Sequence, residues 1–170
     1  MEYWKQNIQM SVSKMKANIE TLKNDLWDYM MDMNVTNDKE QFIALLYHLT
    51  ANEGQQDWDD VDNMIGKDYL VLTDNEADRM VGNYIEETVG MFNPSFLSDY
   101  TGIDEDVFVT LQKAGKYDAV KQIVLRNDNS GAFALAAVQA DGRGHFLATY
   151  DFNEHEVTVN DTTYYIYRVN

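Results

Sequence analysis

The sequence predicts an α+β fold that is mostly helical: a long N-terminal helix, a helical body, and a small C-terminal three-stranded antiparallel sheet. Three observations carry this. Apolar residues recur at helical spacing from Ile8 through the 130s. The period changes from 3.6 to 2 in the last thirty residues, where Val, Thr and Tyr gather. A single proline, Pro94, leaves the helical stretches otherwise free of that breaker.

The first segment has the clearest pattern. Ile8, Val12, Met15, Ile19, Leu22, Leu26, Tyr29 and Met33 step by four and three in alternation, an apolar seam kept for nearly four heptads. A straight helix over residues 3–33 would let that seam drift around its axis, so a partner helix is implied, from a later segment or from a second copy in a homodimer joined through residues 8–33. Asn37-x-x-Glu40 is a capping signal, after which Phe42, Leu45, Leu46 and Leu49 mark one face of a second helix, with His48 beside it. Residues 1–66 thus read as a helical hairpin, either a separate module or an oligomerisation element. Residues 67–170 read as the helical body plus a C-terminal β-meander.

Tyr69–Leu72 is a short strand or an extended lead-in. Thr73-x-x-Glu76 opens a helix with Ala77, Met80, Val81, Tyr84, Ile85 and Val89 turned inward. Pro94 suits a first helical position, Gly102 a turn, and Gly115 a stop. "YDAVKQIVLRN" and "AFALAAVQA" are two more helices, the second broken by "DGRG". Strands over 145–150, 155–159 and 163–169 follow, with Asn160-Asp161 suited to a two-residue hairpin turn.

Charge is the main compositional signal. Thirteen basic residues stand against 29 acidic ones, net −16. Residues 1–66 hold 5 against 12 and residues 67–170 hold 8 against 17, so the acid belongs to the whole surface and not to a tail. Such a field repels nucleic acid and anionic lipid and attracts basic proteins. Absence of cysteine excludes disulfides, thiolate metal sites and cysteine nucleophiles together. No apolar run reaches the ~18 residues of a membrane span, and Met1-Glu2-Tyr3-Trp4-Lys5 does not open like a signal peptide.

The candidate chemistry is thin. Asp57, Asp59, Asp60 and Asp62 suggest a calcium loop, but a loop started at Asp57 puts Val61 fifth, Asp68 twelfth and no glycine sixth. His145 and His155, with Asp151, Glu154 and Glu156, could meet across two strands and hold a divalent ion, although their spacing matches no zinc motif. The glycines of "GRG" precede a strand and lack the lysine and helix of a phosphate loop, so Arg143 and Arg168 read as partners of nearby carboxylates. No residue is thereby assigned as catalytic, metal-ligating or cofactor-binding.

"ADGRGHFLATYD" with "NEHEVTVNDTTYYIYRVN", and "LTDNEADRMVGNYIEETVGMFNPSFLSDYTGIDEDVF" upstream, resemble a group of small uncharacterised proteins of bacteriophages and integrated mobile elements. The likeness covers roughly residues 70–170. The chain departs from it at Phe152, where Gly commonly follows Tyr-Asp. The resemblance implies a gene carried on mobile DNA and a protein expressed in the cytoplasm of a bacterial host, with no assigned activity.

Three readings of function follow. The first is a binding protein that occupies a nucleic-acid groove on a basic host protein by presenting carboxylates where phosphates are expected, an inhibitor of host defence by DNA mimicry. Its candidate contacts are Asp57, Asp59, Asp60, Asp62, Asp99, Asp104, Glu105 and Asp106. The second is a dimeric structural or regulatory interaction protein without mimicry. The third is a metal-dependent enzyme using His145 and His155.

Overall fold

The computed structural model describes residues 39–53, 61–126 and 130–170. The expected long helix, its seam at 8–33, and Asp57, Asp59 and Asp60 lie outside the described residues, as does the side chain of Asp62. The architecture is mostly helical with one small three-stranded antiparallel sheet, the α+β class that the sequence predicts. The chain divides into two compact units, one within Met1–Asp74 and Thr149–Asn170, the other spanning Asn75–Ala148.

The first unit is a helix on a sheet. Helix α1 (Lys39–His48) buries Phe42, Ile43, Ala44, Leu45 and Leu46 in succession. A π-type turn, Leu49–Glu53, and the short helix α2 (Val61–Met64) follow. Strands β1 (Tyr69–Thr73), β2 (His155–Val159) and β3 (Thr162–Arg168) pair in the order β1-β3-β2. Register places Val71 opposite Ile166 and Val157 opposite Tyr164, so these alternate residues share one face. That face joins the α1 residues, Leu49 and Val61 in a single core cluster. Each such fully buried aliphatic or aromatic side chain contributes about 1.5–3 kcal/mol. Gln41 ties α1 to β1 by donating to the Val71 carbonyl at 2.9 Å.

The two-residue turn is as expected. Asn160 and Asp161 have φ of 50° and 64°, the paired left-handed conformation whose twist suits a hairpin. Asn160 also donates to Glu40 at 2.8 Å, and the Tyr164 hydroxyl donates to the same carboxylate at 3.0 Å. Tyr167, fully buried, donates its hydroxyl to Glu154 at 2.6 Å.

One strand differs from expectation. Residues 145–150 are not a strand: helical bonding continues to Ala148, whose N–H donates to the Gly144 carbonyl at 2.9 Å, and a turn follows. The third position in the sheet is taken by β1, five residues in register with β3. Residues 145–150 alternate only imperfectly, since Leu147 falls among His145 and Thr149, and six residues are too few to separate a strand from the last turns of a helix.

The second unit is helical. Helix α3 (Asp74–Thr88) passes into a 3-10 turn, Val89–Met91, then α4 (Pro94–Thr101), α5 (Glu105–Lys113), α6 (Tyr117–Val124) and α7 (Ser130–Leu147). Asn93 caps α4, accepting from Ser95 N–H at 2.9 Å, with Pro94 at the first position and left-handed Gly102 at the end. Helix α3 buries Ala77, Val81 and Ile85, whereas Met80 (38 %) and Tyr84 (44 %) are exposed and not inward as expected. The buried stripe is a narrow i, i+4 row continued by Val89, and Met80 and Tyr84 fall on its flank. Helix α7 is two helices in one: Gly142, at φ 78° and ψ 158°, breaks it, and the chain then resumes helical bonding into Leu147.

Candidate binding pocket and acidic face

The kink at Gly142 borders a cavity of the second unit. By turning the last segment of α7, it sets Asp141 before the break and His145 and Phe146 after it, all beside the end of α3 and the start of α4. The resulting cavity is about 500 Å³, within the size range of small-ligand sites. Its apolar wall is aromatic: Phe92 and Phe146 stack at 6.0 Å, Tyr84 lies 6.3 Å from Phe146, and Phe96 lies 6.1 Å from Phe92. Phe133, fully buried, backs this wall at 5.2 Å from Phe92. Met91 (64 % exposed) stands at the mouth.

The polar groups of the lining divide into used and unused. Ser95 donates its hydroxyl to Asn93, and Thr88 donates to the Tyr84 carbonyl at 2.7 Å, so both hydroxyls serve the fold. Asp141 lines the cavity, is exposed, and has no hydrogen-bond or ion-pair partner among the described residues. His145 adds an imidazole, edge-on to Phe146 at 4.9 Å. The arrangement offers aromatic faces and one carboxylate, a combination that attracts cations.

The acidic residues singled out from the sequence are placed as follows. Asp99 is exposed on α4. Asp104 caps α5, accepting from Asp106 N–H at 2.9 Å, and Glu105 and Asp106 occupy the first turn, where acid suits the helix dipole. All four are exposed, and the carboxylates of Asp99, Glu105 and Asp106 have no partner among the described residues. Helices α4 and α5 pack on each other, so the four belong to one region of the unit. Arg143 pairs with Asp78 at 3.0 Å, the structural use expected for it. Arg168 donates its Nε to the Asn170 backbone oxygen at 3.1 Å, and its guanidinium lies 4.0 Å from the Tyr150 ring centre and 5.8 Å from that of Tyr69.

Comparison with family models, curated proteins and solved structures returns no match. The site therefore stands on its own geometry.

His145 lies on a helix and not on the strand expected for it, so it is not the cross-strand neighbour of His155 on β2. No group of three potential metal ligands occurs among the described residues. The structure joins a different pair. His48, only 3 % exposed, has its ring 4.6 Å from that of His155 and 6.1 Å from Tyr69, and its Nδ1 lies 3.1 Å from the Asn52 amide. The sequence places His48 beside the apolar face of its helix, and the structure buries it. Its position i+3 from Leu45 was the signal for burial, but pairing with a residue 107 positions later leaves no local trace.

Proposed function

We propose that this chain is an acidic binding protein that engages a basic, nucleic-acid-binding protein of a bacterial host, as a product of mobile DNA acting in the cytoplasm. DNA mimicry against a host defence protein is the form of the proposal. The observation that carries it is the set of exposed carboxylates at Asp99, Glu105 and Asp106 with no partner among the described residues, on a chain of net −16. Carboxylates already neutralised by neighbours cannot compete for a lysine- and arginine-lined groove, whereas unpaired ones can.

The experiment is affinity capture from host lysate, followed by elution with salt and with duplex DNA. Displacement by DNA, and a loss of affinity of at least tenfold between roughly 50 and 200 mM salt, support mimicry. A variant carrying Asp99→Asn, Asp104→Asn, Glu105→Gln and Asp106→Asn should then capture little. A partner held equally at all salt concentrations and indifferent to DNA would overturn the reading. The second reading is a dimer without mimicry, favoured by the unbroken apolar seam of residues 8–33. Sedimentation of the full chain with Ile19→Asp and Leu22→Asp tests it: an unchanged mass removes that dimer.

A further inference from the structure

We propose that the cavity of the second unit seats one arginine side chain of the basic partner. The proposal rests on the reading that the target is a basic protein, and it names the chemistry of one contact. Four aromatic side chains, Tyr84, Phe92, Phe96 and Phe146, line the cavity, and aromatic rings attract cations. Asp141 supplies a carboxylate with no partner among the described residues. An anion would meet both that carboxylate and a chain of net −16, and a neutral apolar group would leave Asp141 without a counter-charge. A cation is the ligand that uses both features.

Arginine suits the cavity better than lysine. The guanidinium is planar, weakly hydrated, stacks on aromatic faces, and can give a paired fork of N–H donors to a carboxylate, whereas an ammonium is a compact, strongly hydrated point charge. At about 500 Å³ the space admits the side chain and part of a flanking residue. Helix α4 connects this seat to the acidic face. Ser95 and Phe96 line the cavity, and Asp99 follows them by four and three residues, so it stands one turn further along neighbouring rows of the helix. Basic residues flanking the seated arginine would therefore find a carboxylate within a helical turn of the cavity.

The test is an NMR titration of the full chain with N-acetyl-arginine methylamide, with the norleucine and lysine analogues as controls. Saturable shifts confined to Tyr84, Phe92, Phe96, His145 and their neighbours are expected for arginine, at a dissociation constant of about 1 mM, weaker for lysine and absent for norleucine. Asp141→Asn should weaken arginine about threefold, as for an exposed ion pair, and Tyr84→Ala about two- to fivefold, as for an exposed cation–π contact. Tyr84→Phe should keep the affinity, which separates ring contact from misfolding. Shifts scattered over the surface, no saturation, or equal binding of norleucine would overturn the proposal. Glu105→Gln with Asp106→Asn separates the two readings: it should reduce salt-sensitive capture from lysate and leave arginine amide binding within about twofold. Capture without arginine binding rejects the seat and keeps the function, and arginine binding without capture of a basic partner rejects the function.

Discussion

Gln112 donates its side-chain amide to the Gly90 carbonyl at 3.0 Å, and to the Phe92 carbonyl at 2.8 Å, across 22 and 20 residues. One side chain of α5 thus holds the 3-10 turn that carries Met91 and Phe92 to the cavity. Gln112→Ala leaves two partly buried carbonyls without this donor, at about 1–3 kcal/mol. Gly90 is constrained from another side. A Cβ there would lie 2.7 Å from the Tyr117 carbonyl oxygen and 2.9 Å from its Cβ, so α6 would have to move. Gly90→Ala should therefore destabilise by about 1–3 kcal/mol through overpacking. Thermal denaturation reads both. A melting temperature for Gly90→Ala equal to that of the parent would mean that α6 yields freely.

Gly142 and Gly82 should respond oppositely to the same substitution. Neither has an atom within 4 Å of an added Cβ, so sterics with neighbours do not distinguish them. Gly142 has φ 78° and ψ 158°, a region essentially reserved for glycine. Gly142→Ala should cost about 1–3 kcal/mol and misplace His145 and Phe146, weakening the cavity. Gly82 lies inside α3, where alanine loses less backbone entropy, so Gly82→Ala should add about 0.5–1 kcal/mol. Denaturant midpoints of the two variants that move in the same direction would contradict this account.

Much of the fold was legible for reasons these glycines illustrate. Pro94 and Gly102 announce the bounds of α4 because local geometry demands them, and Asn160-Asp161 announces its turn in the same way. The pairing of β1 with β3 was not legible, because about a hundred residues separate Val71 from Ile166 and only the folded core brings them into register. For the same reason the alternation at 145–150 misled: the local pattern fits two periods and a distant strand decides between them. The acidic character of the surface was readable from composition, and Asp99 and Asp104–Asp106 could be marked in advance as exposed carboxylates. The cavity could not, since Tyr84, Asp141 and Phe146 are far apart in the sequence or separated by the break at Gly142, and only the fold gathers them around one space.

The hairpin turn offers a graded test. Asp161 holds φ 64° at the second turn position, where glycine is better suited than any residue with a Cβ. Asp161→Gly should be neutral or stabilising by up to about 1 kcal/mol, its conformational relief set against glycine's larger entropy in the unfolded chain. Asn160→Ala removes both the tolerance for φ 50° and the bond to Glu40, and should cost about 1–2 kcal/mol. A double-mutant cycle with Glu40→Ala isolates the bond. Strict additivity would show that the 2.8 Å contact contributes nothing to stability.

His48 and His155 test whether the paired rings serve packing or hydrogen bonding. The His48 ring is almost fully enclosed, against His155 and Tyr69, so His48→Ala should open a cavity costing about 2–4 kcal/mol. His48→Phe keeps a ring and removes the Nδ1 contact with Asn52. The Asn52 amide keeps its bond to the His48 backbone carbonyl at 3.1 Å, and Asn52 is exposed, so water can take its other N–H. The cost should then fall below about 1.5 kcal/mol, as for a volume-conserving change. His155 is half-buried on an edge strand, and His155→Ala should cost less than His48→Ala. If His48→Phe proves as damaging as His48→Ala in denaturant unfolding, the ring nitrogens matter more than the ring's volume. The pair would then act through hydrogen bonds that its packing alone does not require.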